Sequence, residues 1–166
     1  AFQSVKVGQD GMDIDSLTST LKNSNAKLMY TVPNFQNPSG ISYTNENRQA
    51  VANLLSKTNT LLIEDNPYGE LRFSGEDKLS FKHYLPEQTI LLGSFSKTVV
   101  PSFRLGWIVA PKALMEKLVI AKQAGDLHTN YFCQRVLHRF LQDNDLATHI
   151  EKIRAVYGKQ KQVMED

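Results

Sequence analysis

The 166-residue sequence contains one cysteine, Cys133, and one tryptophan, Trp107. A single cysteine cannot form an intramolecular disulfide, which excludes a disulfide-stapled secreted scaffold. No apolar run approaches the roughly 20 residues needed to span a bilayer, so no membrane partner is expected. The opening "AFQSVKVGQDGMDIDS" lacks the basic-then-apolar layout of a signal peptide. Blocks of one charge are missing too: 19 basic and 17 acidic residues are interspersed, for a net charge of +2. The densest basic cluster, Lys159 to Lys161, is broken by Gln160, leaving no electrostatic footprint for nucleic acid. His83, His128, His138 and His149 are scattered, without metal-ligand spacing to Cys133, and no metal is expected. There is no internal repeat, low-complexity segment or clear linker. Together these absences point to a reducing, cytoplasmic setting.

What is present suits one globular domain with a real core, the apolar content being 41%. "KLMYTV" (27–32) reads as a strand that runs into the turn-rich "NFQNPSG" (34–40). Thr44 is placed to cap a helix with Glu46 in its first turn and Ala50, Val51, Leu54 and Leu55 as its apolar stripe. "TLLIED" (60–65), "TILLG" (89–93) and "GWIVA" (106–110) read as further strands. A helix is expected from Pro111 to about Ala124, with Leu114, Leu118 and Ile120 or Ala121 inward, then helices over 127–141 and 146–165. Strands alternating with helices predict an α/β fold: a three-layer, mostly parallel sheet with helices on both faces. The continuous apolar character of the strands agrees, because such strands are buried on both sides.

In open α/β sheets, ligands sit beyond the carboxyl ends of the strands. The unusual polar residues fall at those ends: Asn34 and Asn37, then Asp65 and Tyr68, then Ser94 and Lys97. A lysine kept partly desolvated there becomes a nucleophilic amine that can form a Schiff base with an aldehyde. Ser94, Ser96 and Arg104 offer hydroxyls and a planar fork suited to a phosphate. Asp65 offers an anion that needs a cationic partner, and Tyr68 a phenol. Aldehyde, phosphate, cationic nitrogen and phenolic oxygen are the features of one cofactor, pyridoxal 5′-phosphate. Plainer readings exist for each residue taken alone. Asp65 could cap a turn, Tyr68 could pack on Pro67, and Arg104 could be an ordinary surface residue. Glu64 is expected to face another way and serve structure, and Asn34 and Gln36 to be ordinary loop polars.

"VPNFQNPSG", "EDNPYGELRF" and "SFSKTVVPSFRLGW" resemble the three cofactor motifs of class I/II aminotransferases, within the fold type I pyridoxal-phosphate enzymes. The aminoadipate/kynurenine aminotransferase-like branch is the most similar. The resemblance runs from about Asp10 onward and implies transfer of an amino group from an amino acid to a 2-oxo acid. It implies Lys97 as the Schiff-base lysine and proton carrier, and Asp65 as the partner of the ring nitrogen. Tyr68 and Asn37 would bind the ring's 3′-oxygen, while Ser94, Ser96 and Arg104 would hold the phosphate. It also implies a homodimer. Residues 1–145 would be part of the cofactor-binding large domain, and 146–166 a helix leading towards a small domain.

The family's phosphate-binding loop at a helix start, its ring-stacking aromatic and its carboxylate-clamping arginine have no counterpart here. The chain also starts without Met and ends within an apparent helix. It is therefore expected to be a piece of a longer protein, and inactive alone. Two other outcomes share the motifs. One is a different reaction on the same lysine-bound cofactor, such as that of a β-lyase. The other is the cofactor-binding effector domain of a winged-helix transcription regulator.

Overall fold

The structure, a computed structural model, describes residues 2–166. A short antiparallel hairpin, β1 (Val7–Gly8) and β2 (Gly11–Met12), comes first and leads into helix α1 (Ile14–Asn23). Neither the hairpin nor α1 was expected from the sequence pattern, which becomes readable at Lys27. The reason is physical: two-residue strands have no readable period, and α1 carries only Ile14, Leu17 and Leu21 as large apolar residues. Asp13 caps α1 by accepting the Ser16 amide at 2.6 Å.

From there the alternation is as expected. Strand β3 (Leu28–Thr31) leads to α2 (Asn45–Leu55), then β4 (Leu61–Asp65), a 3-10 turn (Gly69–Leu71), α3 (Phe81–Tyr84) and β5 (Thr89–Ser94). A second 3-10 turn (Pro101–Phe103) precedes β6 (Gly106–Val109), followed by α4 (Lys112–Gly125), α5 (Tyr131–Asp143) and α6 (Leu146–Glu165). The sheet order is β3-β4-β5-β6; the first three strands are parallel and β6 is antiparallel. The fold is α/β with a mostly parallel sheet. Thr44 caps α2 through the Asn47 amide, as anticipated.

Alternation along the strands divides the sheet into two unlike faces. Leu62 and Glu64 point to one side and are fully buried, beneath Val51 and Leu55 of α2 and Phe81 of α3. Leu61, Ile63 and Asp65 point to the other. On that second face Leu28 is 56% exposed and Tyr30 60%. Three details differ from expectation. The inward face of α2 is Arg48, Val51, Ala52 and Leu55, so an arginine takes a place that hydrophobicity would assign to a neighbour. Leu114 and Leu118 of α4 are half-buried, but Ile120 and Ala121 are exposed. Helix α5 starts four residues later than expected, because Leu127 adopts a left-handed φ of 65° and Asn130 supplies the cap.

Arg48 is fully buried. Its Nε donates to the Tyr43 carbonyl at 3.2 Å and its Nη1 to the Leu79 carbonyl at 2.9 Å. Its Nη2 donates to the Pro33 carbonyl at 2.9 Å and to Asn34 Oδ1 at 2.8 Å. The carboxylate of Glu64, also without exposure, lies 3.8 Å from Nη1 and accepts from the Ser80 hydroxyl. Glu64 does serve structure, on the face opposite Asp65. Breaking one side of a buried pair leaves an uncompensated charge and typically destabilises by about 3–5 kcal/mol. Arg48→Met is therefore expected to lower the unfolding free energy by about that much, measured by urea titration. Burial also raises the Glu64 carboxyl above its ordinary value of 4.5. In the window just above that value the native state holds a proton that the unfolded state releases, so stability falls as pH rises through it. Glu64→Gln should remove this part of the slope; an unchanged slope would mean that other groups set it.

Candidate functional site

The carboxyl ends of β3, β4 and β5 lie side by side, because the three strands are parallel neighbours in register. Each end opens into a loop that carries expected site residues. Asp65 is the last residue of β4, and its Oδ2 accepts the Tyr30 hydroxyl at 2.6 Å. Tyr68 follows three residues on, half-buried, with its ring centroid 5.6 Å from Lys97 Nζ. The loop after β5 brings Lys97 over that ring. An acid, a phenol and an amine from two different loops are thus gathered at one sheet edge.

Beside them, the Ser96 amide donates to Ser94 Oγ at 3.1 Å, and Arg104 Nη1 donates to Ser96 Oγ at 3.4 Å. Arg104 reaches back because its backbone is left-handed, with φ 53° and ψ 36°. That region is unfavourable for a side chain with a Cβ, by roughly 1–3 kcal/mol, and such strain concentrates at functional sites. The same Nη1 also donates to the Pro101 carbonyl at 3.3 Å, which closes the turn. Ser94, Ser96 and Arg104 therefore form one polar cluster at the end of β5.

Two expectations change. The desolvated lysine is not found: Lys97 is exposed. Only one side of its surroundings is built by these residues, so water reaches the amine. Asn37, also exposed, forms no side-chain hydrogen bond among the described residues; its carbonyl accepts Gln36 Nε2 at 2.8 Å.

Asn34, expected to be an ordinary loop polar, is 4% exposed and joins the first two loops. Its Oδ1 accepts from Arg48, and also from Arg72 at 3.3 Å; its Nδ2 donates to Asn66 Oδ1 at 2.8 Å. Asn66 Oδ1 also accepts the Gly69 amide at 3.1 Å, folding the chain around Tyr68. A Cβ on Gly69 would lie 2.5 Å from that oxygen, so the position needs glycine. The sequence signal was an asparagine shortly after two strand ends, Asn34 three residues beyond β3 and Asn66 directly after β4, a residue suited to loops; here Asn34 is buried and Asn66 half-buried.

A second glycine permits a close approach across β5 and β6. Gly93 faces Trp107 in the ladder, and a Cβ there would lie 2.0 Å from the indole. Trp107 is thus a strand-flanking aromatic lying over Gly93.

No group of three or more His, Cys, Asp or Glu among the described residues is arranged to hold a metal ion. No described helix is long and apolar enough to cross a membrane.

Comparison with known proteins gives concordant matches. Residues 3–166 match the family model of aminotransferase class I and II. Aromatic-amino-acid aminotransferase 1 of Thermococcus litoralis is 38% identical over 98% of this chain and 40% of its own length. LysN, the α-aminoadipate aminotransferase of Thermus thermophilus, solved with N-(5′-phosphopyridoxyl)-L-leucine, superposes with a TM-score of 0.94 at 32% identity. That match covers 99% of this chain and 43% of the other. A transcription regulator of the helix-turn-helix type, YisV of Bacillus subtilis, is 29% identical over 92% of this chain and 32% of its own. The chain spans about two-fifths of the length of the aminotransferases it matches. It belongs to the aminotransferase class I and II family.

Proposed function

We propose that the protein carrying this chain is a pyridoxal-phosphate-dependent aminotransferase. In this reading it moves an amino group from an amino acid to a 2-oxo acid. The observation that carries the reading is the meeting of Lys97, Tyr68 and Asp65 at one sheet edge, beside the cluster of Ser94, Ser96 and Arg104. The donor set fits the cofactor. Asp65 already accepts a hydrogen bond from a phenol at 2.6 Å, and a carboxylate is the group that a protonated ring nitrogen would meet. Two hydroxyls and a guanidinium drawn together at the end of β5 suit a phosphate dianion.

When bound, the cofactor supplies an aldehyde that captures amines and a ring that withdraws electrons from the substrate's α-carbon. The residues of this chain would supply part of what it needs. Lys97 would hold the cofactor through its amine and would be the group that moves a proton at the substrate's α-carbon. Asp65 keeps the ring nitrogen protonated. Tyr68 and Asn37 would donate to the ring's 3′-oxygen. Ser94, Ser96 and Arg104 anchor the phosphate, so that the reacting atoms do not drift.

Solvated ammonium groups hold their proton at neutral pH and are poor nucleophiles. Lys97 is exposed here, so the walls that dry it must come from elsewhere in the protein. The same holds for the second side of the phosphate, the group that stacks on the ring and the group that orients a substrate carboxylate. We assign them to further parts of a homodimer located in the cytoplasm. Residues 1–145 belong to its large domain, and 146–166 form the helix leading to the small one. A second reading, a regulator's effector domain, is supported by the 29% identity to YisV. Cofactor binding without turnover, together with a winged helix upstream, would favour it.

Three results test the proposal. A panel of amino acids should include at least one that discharges the loaded full-length protein, seen as loss of the cofactor's visible absorbance. Asp65→Asn should reduce turnover more than Tyr68→Phe, because an amide cannot hold the ring nitrogen protonated at the step that generates negative charge. Equal rates for the two variants would contradict these roles. The 166-residue chain alone should show no measurable amino-group transfer, and activity near that of the full-length protein would overturn the division of the site.

A further inference from the structure

Asp65 presents two carboxylate oxygens, and one is already engaged. Tyr30 lies on β3 opposite Ile63, two residues before Asp65 on the neighbouring strand. Positions two apart share a face, so Tyr30 and Asp65 are diagonal neighbours on the same side of the sheet. Such diagonals are about 7–8 Å apart, within reach of an aromatic side chain but not of a serine or threonine. The Tyr30 hydroxyl crosses that gap and donates to Oδ2 at 2.6 Å, within the range of a charge-assisted O–H···O⁻ bond. No donor is hydrogen-bonded to Oδ1 among the described residues.

We propose that Tyr30 is a positioning residue for Asp65, holding Oδ2 so that the carboxylate cannot rotate and Oδ1 stays aimed at the cofactor's ring nitrogen. The proposal rests on the cofactor reading above. The torsion that orients a carboxylate is broad and nearly free, so an unheld Asp65 would present its oxygens in many orientations. The phenol removes that freedom by holding Oδ2 at 2.6 Å. The hydrogen bond to Asp65, then burial, then the charge of Asp65 push the Tyr30 hydroxyl up to about 12. Tyr68 is the other titratable group that bears on Tyr30, and Lys97 lies over the Tyr68 ring. Tyr30 therefore remains a phenol throughout the range in which the protein would work. It is a fixed brace, and no titration in that range releases it.

The test uses the full-length protein labelled with 13C at tyrosine Cζ, with Tyr30 assigned by its loss in Tyr30→Phe. In the apoprotein at a pH of about 11, the Tyr30 signal should still report a phenol while exposed tyrosines have ionised. Buried Tyr43 is the other late one. In Asp65→Ala the Tyr30 phenol should ionise close to the ordinary value of about 10. If that variant fails to fold, Asp65→Asn carries the test, its neutral acceptor moving the midpoint part of the way. In the loaded protein, Tyr30→Phe should weaken cofactor retention about tenfold, as loss of an outer partner does for a ligating group. It should also lower kcat while leaving KM for the amino acid nearly unchanged. Tyr30 ionising with the exposed tyrosines would overturn the proposal, and so would a Tyr30→Phe protein that retains cofactor like the wild type. If no amino acid discharges the loaded protein, the aminotransferase reading fails. The titration and retention results would still decide the role of Tyr30.

Discussion

The buried guanidinium of Arg48 is the constraint from which most of the site's geometry follows. A cation without exposure is tolerable only when its donors are met, and Arg48 meets three backbone carbonyls, Asn34 and the Glu64 carboxylate. Those partners come from the loop after β3, from strand β4 and from the segment before α3, so one side chain ties three parts of the chain to α2. Lysine could not replace it. A single ammonium offers three donors around one atom, whereas the planar fork reaches acceptors in several directions at once. Its cationic charge is matched by Glu64, which occupies the core side of β4 while Asp65, the next residue, occupies the other. The alternation of one strand thus gives one carboxylate to structure and its neighbour to chemistry.

Asn34 transmits this order to the sheet edge. Held by Arg48 on one side, it grips Asn66 on the other, and Asn66 shapes the turn that presents Tyr68 to Lys97. Polar groups enclosed this way must all be satisfied, which makes the arrangement rigid, since displacing one member strands the others. The third loop is ordered differently, by the left-handed turn at Arg104 and its hydrogen bonds to Ser96 and Pro101. One side of the proposed cofactor site is thereby braced, while Lys97 remains open to water.

The strands, the order of the main helices and the polar residues at strand ends were legible in the sequence because each leaves a local mark. Apolar runs bounded by turn formers mark β3 to β5, and Thr44 marks the start of α2. The motif residues could be named from their places at strand ends and from the resemblance to a known family. Arg48 and Tyr30 could not. An arginine within a helix reads as surface, and only the carbonyls that converge on it in three dimensions give it a buried role. Tyr30 reads as an ordinary strand aromatic; its hydroxyl gains meaning from Asp65, 35 residues away and one strand over. Exposure of Lys97 was likewise invisible, because desolvation depends on what surrounds a residue and not on which residues adjoin it in the chain.

The central claim is that Lys97 is the amine on which the chemistry turns. Reducing the loaded full-length protein with borohydride and mapping the modified peptide tests it most directly. The account predicts a single phosphopyridoxyl adduct, on Lys97, and none at any site in Lys97→Ala. A principal adduct on another lysine, or on none, would contradict it.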